Sequence, residues 1–230
     1  VDENPLRFEF ISSFENAGFE DVASGTTLDQ VAGWTAENKK IVPGTTTLGF
    51  QVNGSAYVVP DNWTPTSSPN PSCTSAADDI SSSSLTYTTV VSSDDVKSGN
   101  GDNSLFLRSS GNVNPGGTVD FGPAAYSDVF SAEQNQNLSF DWKVASGGDN
   151  YQIVSYLVKV DGASAVSTKL LDTTGSGSTS WSTFSVKVPA DGNYRFVFIA
   201  GTHDYSCGKL AGVRLYIDEV KVVGSKADAA

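Results

Sequence analysis

The chain has 230 residues, 17% of them charged, with 14 Lys and Arg against 26 Asp and Glu, a formal net charge of −12. Binding to nucleic acid or to an anionic membrane needs a basic face, so this balance excludes both as partners. No apolar run approaches the roughly 18 residues of a membrane helix, which argues against direct membrane insertion.

No secretory signal pattern opens the chain, so the expectation is a processed protein or a module excised from a longer one. The stretch "ENAGFEDV" places Glu20 and Asp21 just after Gly18 and Phe19, and "GWT" follows at Gly33–Thr35. Residues 57–103 change character: "PDNWTPTSSPNPSCTSAADDISSSS" is rich in Pro, Ser and Asp and weakly periodic. It reads as one long loop, pinned to the body by Trp63 and Cys73. "NGDNSLFLRSSG" then reads as a turn followed by a short strand, and "SAEQNQN" as a single turn at most.

From there period-two alternation dominates. "LSFDWKV" puts Leu138, Phe140, Trp142 and Val144 on one face and Ser139, Asp141 and Lys143 on the other. "NYQIVSYLVKVDG" is a long strand closed by Asp161-Gly162. "WSTFSVKV" and "NYRFVFIA" flank Pro189-Ala190-Asp191-Gly192, which reads as a hairpin turn. In "VRLYIDEVKVV" the apolar residues Val213, Leu215 and Ile217 give way to Val220 and Val222. That change of parity predicts a β-bulge at Asp218-Glu219, re-aiming a carboxylate; a strand buried on both faces is the alternative. The tail "GSKADAA" reads as a linker. The expected class is all-β, a jelly-roll-like sandwich of two sheets with long loops, forming one domain over residues 1–230.

Catalytic and zinc chemistry find little to work with. A Ser-His or Cys-His pair would rest on the sole histidine, His203, and no G-x-S-x-G elbow occurs. One His and two Cys far apart lack zinc-site spacing. A pair of carboxylates for glycoside hydrolysis cannot be singled out among 26 acids. The expectation is therefore no enzyme. Cys73 and Cys207 are an even count in a chain that reads as secreted, which predicts a disulfide holding the long loop against the "THDYSCG" turn; two free buried thiols are the alternative.

Surplus carboxylates suit calcium, a hard cation that takes about six to eight oxygen ligands. Glu20 and Asp218 resemble the structural calcium site of jelly-roll carbohydrate-binding modules, where a Glu after "GxFE" meets an Asp in a closing "IDxV" strand; Asp102 in the "NGDNSL" turn is a third candidate. A second group of oxygen donors lies in Gly-flanked turns after strands: Asp149 and Asn150 in "GGDNYQ", and Asp204 in "GTHDYSCG".

"FDW…GGDNY" over Phe140–Tyr151 and "GNYRFVFIAGTHDYSCGKLAGVRLYIDEVKV" over Gly192–Val222 resemble giant bacterial RTX-type adhesins, and in particular their calcium-dependent peptide-binding modules. The resemblance implies an extracellular β-sandwich in which Asp149 and Asp204 bind an ion that captures a ligand, often a terminal carboxylate. It implies that Asn150, Tyr151, Gln152, His203 and Tyr205 border that ligand. The chain departs from the pattern in "NYQIVSY", which lacks an Asp of the family, and in Cys207, where Gly is common. The function expected is a calcium-dependent adhesion module at a bacterial cell surface, monomeric within a larger adhesin, binding a peptide on a host or partner cell. The alternatives are a glycan-binding module with Trp63 or Trp181 as its aromatic platform, a calcium-stabilised spacer, and a polysaccharide lyase or glycosidase on the same fold.

Overall fold

Strands that alternate apolar and polar residues can bury one face only by packing against a second sheet. The computed structural model of the chain describes residues 17–40, 50–52, 56–58, 84–112, 120–147, 151–161, 166–203, 209–210 and 213–223. After a single 3-10 turn at Leu28–Gln30, the strands are β1 Trp34–Lys40, β2 Phe50–Val52, β3 Ala56–Val58, β4 Ser84–Ser92, β5 Ser104–Asn112, β6 Asp120–Ser127 and β7 Phe130–Ala132. They continue with β8 Asn137–Ala145, β9 Tyr151–Lys159, β10 Val166–Gly175, β11 Ser182–Lys187, β12 Gly192–His203, β13 Lys209–Leu210 and β14 Arg214–Val223. Pairing is antiparallel throughout. The first sheet runs β1-β6-β12-β9-β10, with β7 continuing the β6 position beside β12; the second runs β11-β8-β14-β5-β4, with β13 continuing the β14 position beside β5. β2 and β3 form a separate small hairpin. This is the all-β sandwich the alternation called for.

Aromatic residues from both sheets fill the space between them. Phe196 and Phe198 of β12 stack with centroids 5.9 Å apart, and Phe140 of β8 meets Phe198 edge-on at 5.0 Å. Phe140 also stacks on Phe184 of β11 at 5.1 Å, and Phe19 and Trp34 close one end at 5.1 Å. Phe19, Phe140, Phe196 and Phe198 have no exposed surface, and each contributes roughly 1.5–3 kcal/mol of apolar burial.

Two sequence expectations are corrected. Pro189–Gly192 does not join a hairpin. β11 pairs β8 in the second sheet, whereas β12 lies between β6 and β9 in the first, so the turn carries the chain across the core. Val188 makes that corner. It is buried, its N–H donates to Gln136 O at 2.8 Å, and its carbonyl accepts from Asn135 N at 3.0 Å. The stretch 57–103 is also not one loop, since β4 pairs β5 from Ser84↔Asn112 to Ser92↔Ser104. Its run of Thr and Val favours a pleated strand. The strand Asp120–Ser127 had no alternation to announce it. The bulge in β14, by contrast, stands where parity placed it: the register against β8 slips between Asp218 and Lys221, and Glu219 has a φ of 50°.

Candidate functional site

Two acidic residues are held by backbone in unusual conformations. Phe19 has a φ of 60° although it is bulky and wholly buried, a conformation that persists only when the surroundings over-determine it. The next residue, Glu20, thereby meets the 101–103 turn: its Oε2 accepts from Asp102 N at 3.0 Å and its Oε1 from Asn103 N at 2.9 Å. Gly101, with a φ of 105°, has no room for a side chain; a Cβ there would stand 2.4 Å from the Glu20 carboxyl carbon. Asp102 thus contributes its amide, and its side chain is exposed.

Asp218 sits on the outward face of β14, just before the bulge, with no exposed surface. Its Oδ1 accepts from Glu219 N at 2.7 Å, while its Oδ2 is buried without a partner. Burial first, and then the carboxylates of Glu219 and Glu20, push the Asp218 carboxyl up to about 7, against the opposing pull of the Glu219 N–H and the Asn100 amide. Glu219 is paired with Lys221.

The β4–β5 connection folds back over this face and covers Asp218. Lys97 Nζ donates to Asp141 Oδ1 at 2.7 Å, and Asn100 Nδ2 to Asp141 Oδ2 at 2.6 Å; Thr183 also donates to Asp141. Burial alone would raise the Asp141 carboxyl, but these three donors and the Lys97 charge outweigh it and hold it below the usual carboxylate range. Asp141 is directly opposite Asp218 in the ladder. One carboxylate of that facing pair is therefore fully satisfied and the other half-orphaned.

Farther along the same face lies an aromatic row. Tyr216 stands opposite Phe106 on β5 and Lys143 on β8. Its ring is 5.0 Å from Phe106 and 6.4 Å from Trp181. Tyr216 is buried between the two, and Phe106 and Trp181 are half-buried. Asp95 of the overlying loop fixes the arrangement, accepting from Trp181 Nε1 at 2.9 Å and from Lys143 Nζ at 2.5 Å. The alternation of "LSFDWKV" signalled that Lys143 faces outward, but nothing in the sequence signalled that β5, β14 and the residue before β11 would bring their aromatic rings together across it. A shallow cleft of about 340 Å³ near β7, lined by Ser131, Glu133, Gln136 and Asn193 among others, has no aromatic wall.

The remaining candidates divide. The start of β9 and the end of β12 are ladder partners, Tyr151 against Thr202. Asp149, Asn150, Asp204 and Tyr205 themselves, and Cys73, Cys207 and Trp63, lie outside the described residues. Gln152 and His203 are strand positions, paired with Gly201 and Asp120 respectively. Tyr151, expected to border a ligand, is instead a core residue, 3% exposed, whose hydroxyl donates to Gly177 O at 2.8 Å. Its odd position in β9 puts it on the same inward side as Ile153 and Leu157.

No family model matches the chain, and no curated protein matches it. Solved structures do. One, described as a carbohydrate-binding module from the β-sandwich superfamily, is 13% identical with a TM-score of 0.47, over 93% of this chain and 62% of that one, so this chain spans less than two thirds of its length. TmCBM61, solved with β-1,4-galactotriose, is 11% identical with a TM-score of 0.41, over 94% of this chain and 99% of that one. The K1 cleaved adhesin domain of Lys-gingipain from Porphyromonas gingivalis W83 is 17% identical with a TM-score of 0.37, over 55% of this chain and 76% of that one. These are likenesses to β-sandwich binding modules at low identity, and what those proteins bind is their own property.

Proposed function

We propose that this chain is a non-catalytic glycan-binding module of an extracellular adhesive protein. The observation that carries the reading is the outward row of Trp181, Tyr216 and Phe106. Half-exposed rings offer apolar faces to the C–H side of a sugar, and the surrounding Lys, Arg and Asp groups offer donors and acceptors to its hydroxyls. Asp95 holds the indole by its N–H, so little side-chain freedom is lost on binding.

Calcium braces the module in this reading. The buried, unpartnered Oδ2 of Asp218 is an oxygen in need of a cation, and both Glu20 oxygens keep a lone pair beyond the N–H bonds they accept. Among the described residues no three His, Cys, Asp or Glu side chains group as a metal site. The remaining ligands would therefore be neutral oxygens, such as the Asn100 amide and backbone carbonyls, which calcium accepts.

The test is calorimetry against a panel of neutral and acidic oligosaccharides and short free-carboxylate peptides, with Trp181→Ala as control. The expected result is sugar binding by the native chain and a loss of about tenfold or more in the variant, with the melting transition retained. Peptide binding without any sugar binding would overturn the glycan reading and restore the calcium-dependent peptide one.

A further inference from the structure

Next to the aromatic row, Arg214 of β14 stands directly opposite Arg108 of β5. Side chains so placed are roughly 4.5–5.5 Å apart at Cβ, where like charges repel. Arg108 is half-buried, and its Nε is buried without a hydrogen-bond partner. Among the described residues neither guanidinium has an ion pair or a hydrogen bond. In a chain of net charge −12 carboxylates are abundant, yet the acids of this face are placed elsewhere. Asp95 is taken by Lys143 and Trp181, and Asp141 by Lys97, Asn100 and Thr183. Asp94 is exposed at the rim. In the same ladder Tyr216 stands opposite Phe106, two residues from each arginine along its strand and so on the same face, which ties the pair to the aromatic row.

We infer that Arg108 and Arg214 form an anion-binding end to the aromatic face, and that the ligand is an acidic glycan carrying sugar carboxylates or sulfates. The inference rests on the glycan reading and names its substrate class. Two adjacent forks of N–H donors match a planar carboxylate or a sulfate bidentately, and such an anion relieves the repulsion between them. Stacking on Trp181 and Phe106 then distinguishes a sugar from a free anion. A net-acidic module gains selectivity from this arrangement, because its general field repels polyanions that lack the ring to stack.

Binding of the full chain is measured against three acidic probes (oligogalacturonate, oligoalginate and a sulfated glycosaminoglycan fragment), against the first after reduction of its carboxyls to alcohols, and against a poly-glutamate peptide. The expected result is binding of at least one acidic sugar, weakened about tenfold by Arg108→Gln or Arg214→Gln and abolished in the double variant, and weakened by raised salt. Melting temperatures of the variants should stay level or rise, since a repulsive pair is removed; a structural role would lower them. Neutral sugars bound with equal affinity by native and double-variant chains would overturn this inference and leave the glycan reading standing. Binding of no sugar, with or without poly-glutamate binding, would overturn both. A preference for the sulfated over the carboxylated probes assigns the anion as sulfate, and the reverse as carboxylate, either of which supports the site.

Discussion

On the outward side of the first sheet, Tyr126, Val154, Tyr156, Val158, Val197 and Ile199 are all 4% exposed or less. On the outward side of the second, Arg108, Lys143 and Trp181 are half-buried and Arg214 is open to solvent. The two sheets share an inner core, but β6, β9 and β12 are buried on both faces, whereas the outward side of β5, β8 and β14 is covered only in part, at Asp141, Tyr216 and Asp218. A strand buried twice has no face left for chemistry. The second sheet therefore carries the charges, the overlying β4–β5 loop and the aromatic row, and it is where recognition chemistry has room to act.

The contrast is broken hardest by placing a carboxylate on the first sheet's outer face. Val158→Asp buries a charge at a position with no exposed surface and should cost about 4 kcal/mol or more, seen as loss of the cooperative melt. A matching change on the second sheet, Arg214→Asp, should leave the melt within about 1 kcal/mol of the native chain.

Asp218 and Asp141 are carboxylates buried on the second sheet's outward side, and Asp218 is the one with an oxygen left unpartnered. Calcium at about a hundredfold excess over its Kd should stabilise the native chain by about 2.7 kcal/mol, read as a rise of several degrees in Tm over the chelated sample. Asp218→Asn should erase that response, and the metal-free variant should melt no lower than the metal-free native chain at pH 8. Identical native curves with and without calcium would remove the metal from the picture.

The same residue gives a pH signature. In the unfolded chain Asp218 ionises near 3.8, and in the metal-free native state near about 7. Between those values the native state keeps a proton that the unfolded state has released. Metal-free stability should therefore fall as pH rises from about 4 to about 7, by at most about 1.4 kcal/mol per unit, and level off above. Denaturant melts across that range should show the slope in the native chain and not in Asp218→Asn.

The smallest effects separate neighbours in the 20–103 contact. Glu20→Ala leaves two N–H groups without their acceptor and should cost about 2 kcal/mol. Asp102→Ala keeps the amide that Glu20 uses and should change stability by no more than about 0.5 kcal/mol, by chemical denaturation.

Much of this was readable from the residues in order. Alternation in "LSFDWKV" and the parity change in "LYIDEVKVV" are local records of which side each residue faces, so the sandwich class and the bulge at Asp218-Glu219 followed from them. Glu20 and Asp218 were found as a motif, and the segment that leads into Glu20 runs beside β14, where Val220 N donates to Ala17 O at 3.0 Å. Tyr151 was misassigned because a Tyr after a Gly-Asp turn looks the same whether it points inward or outward; only the register of β9 against β12 gives its side.

Local chemistry determined the strand periods, the turns and the acidic surplus, because each depends on neighbours within a few residues. Tertiary structure decided the rest. The Pro189–Gly192 turn reverses the chain equally well as a hairpin or as a corner between sheets, and edge availability at β8 chose the corner. Arg108 and Arg214 are 106 positions apart, and their opposition exists only because β5 and β14 pair in one register. A slip of one residue in either strand would turn that strand's arginine to the core side, so the burial of Leu105, Leu107, Leu215 and Ile217 is what holds two arginines face to face.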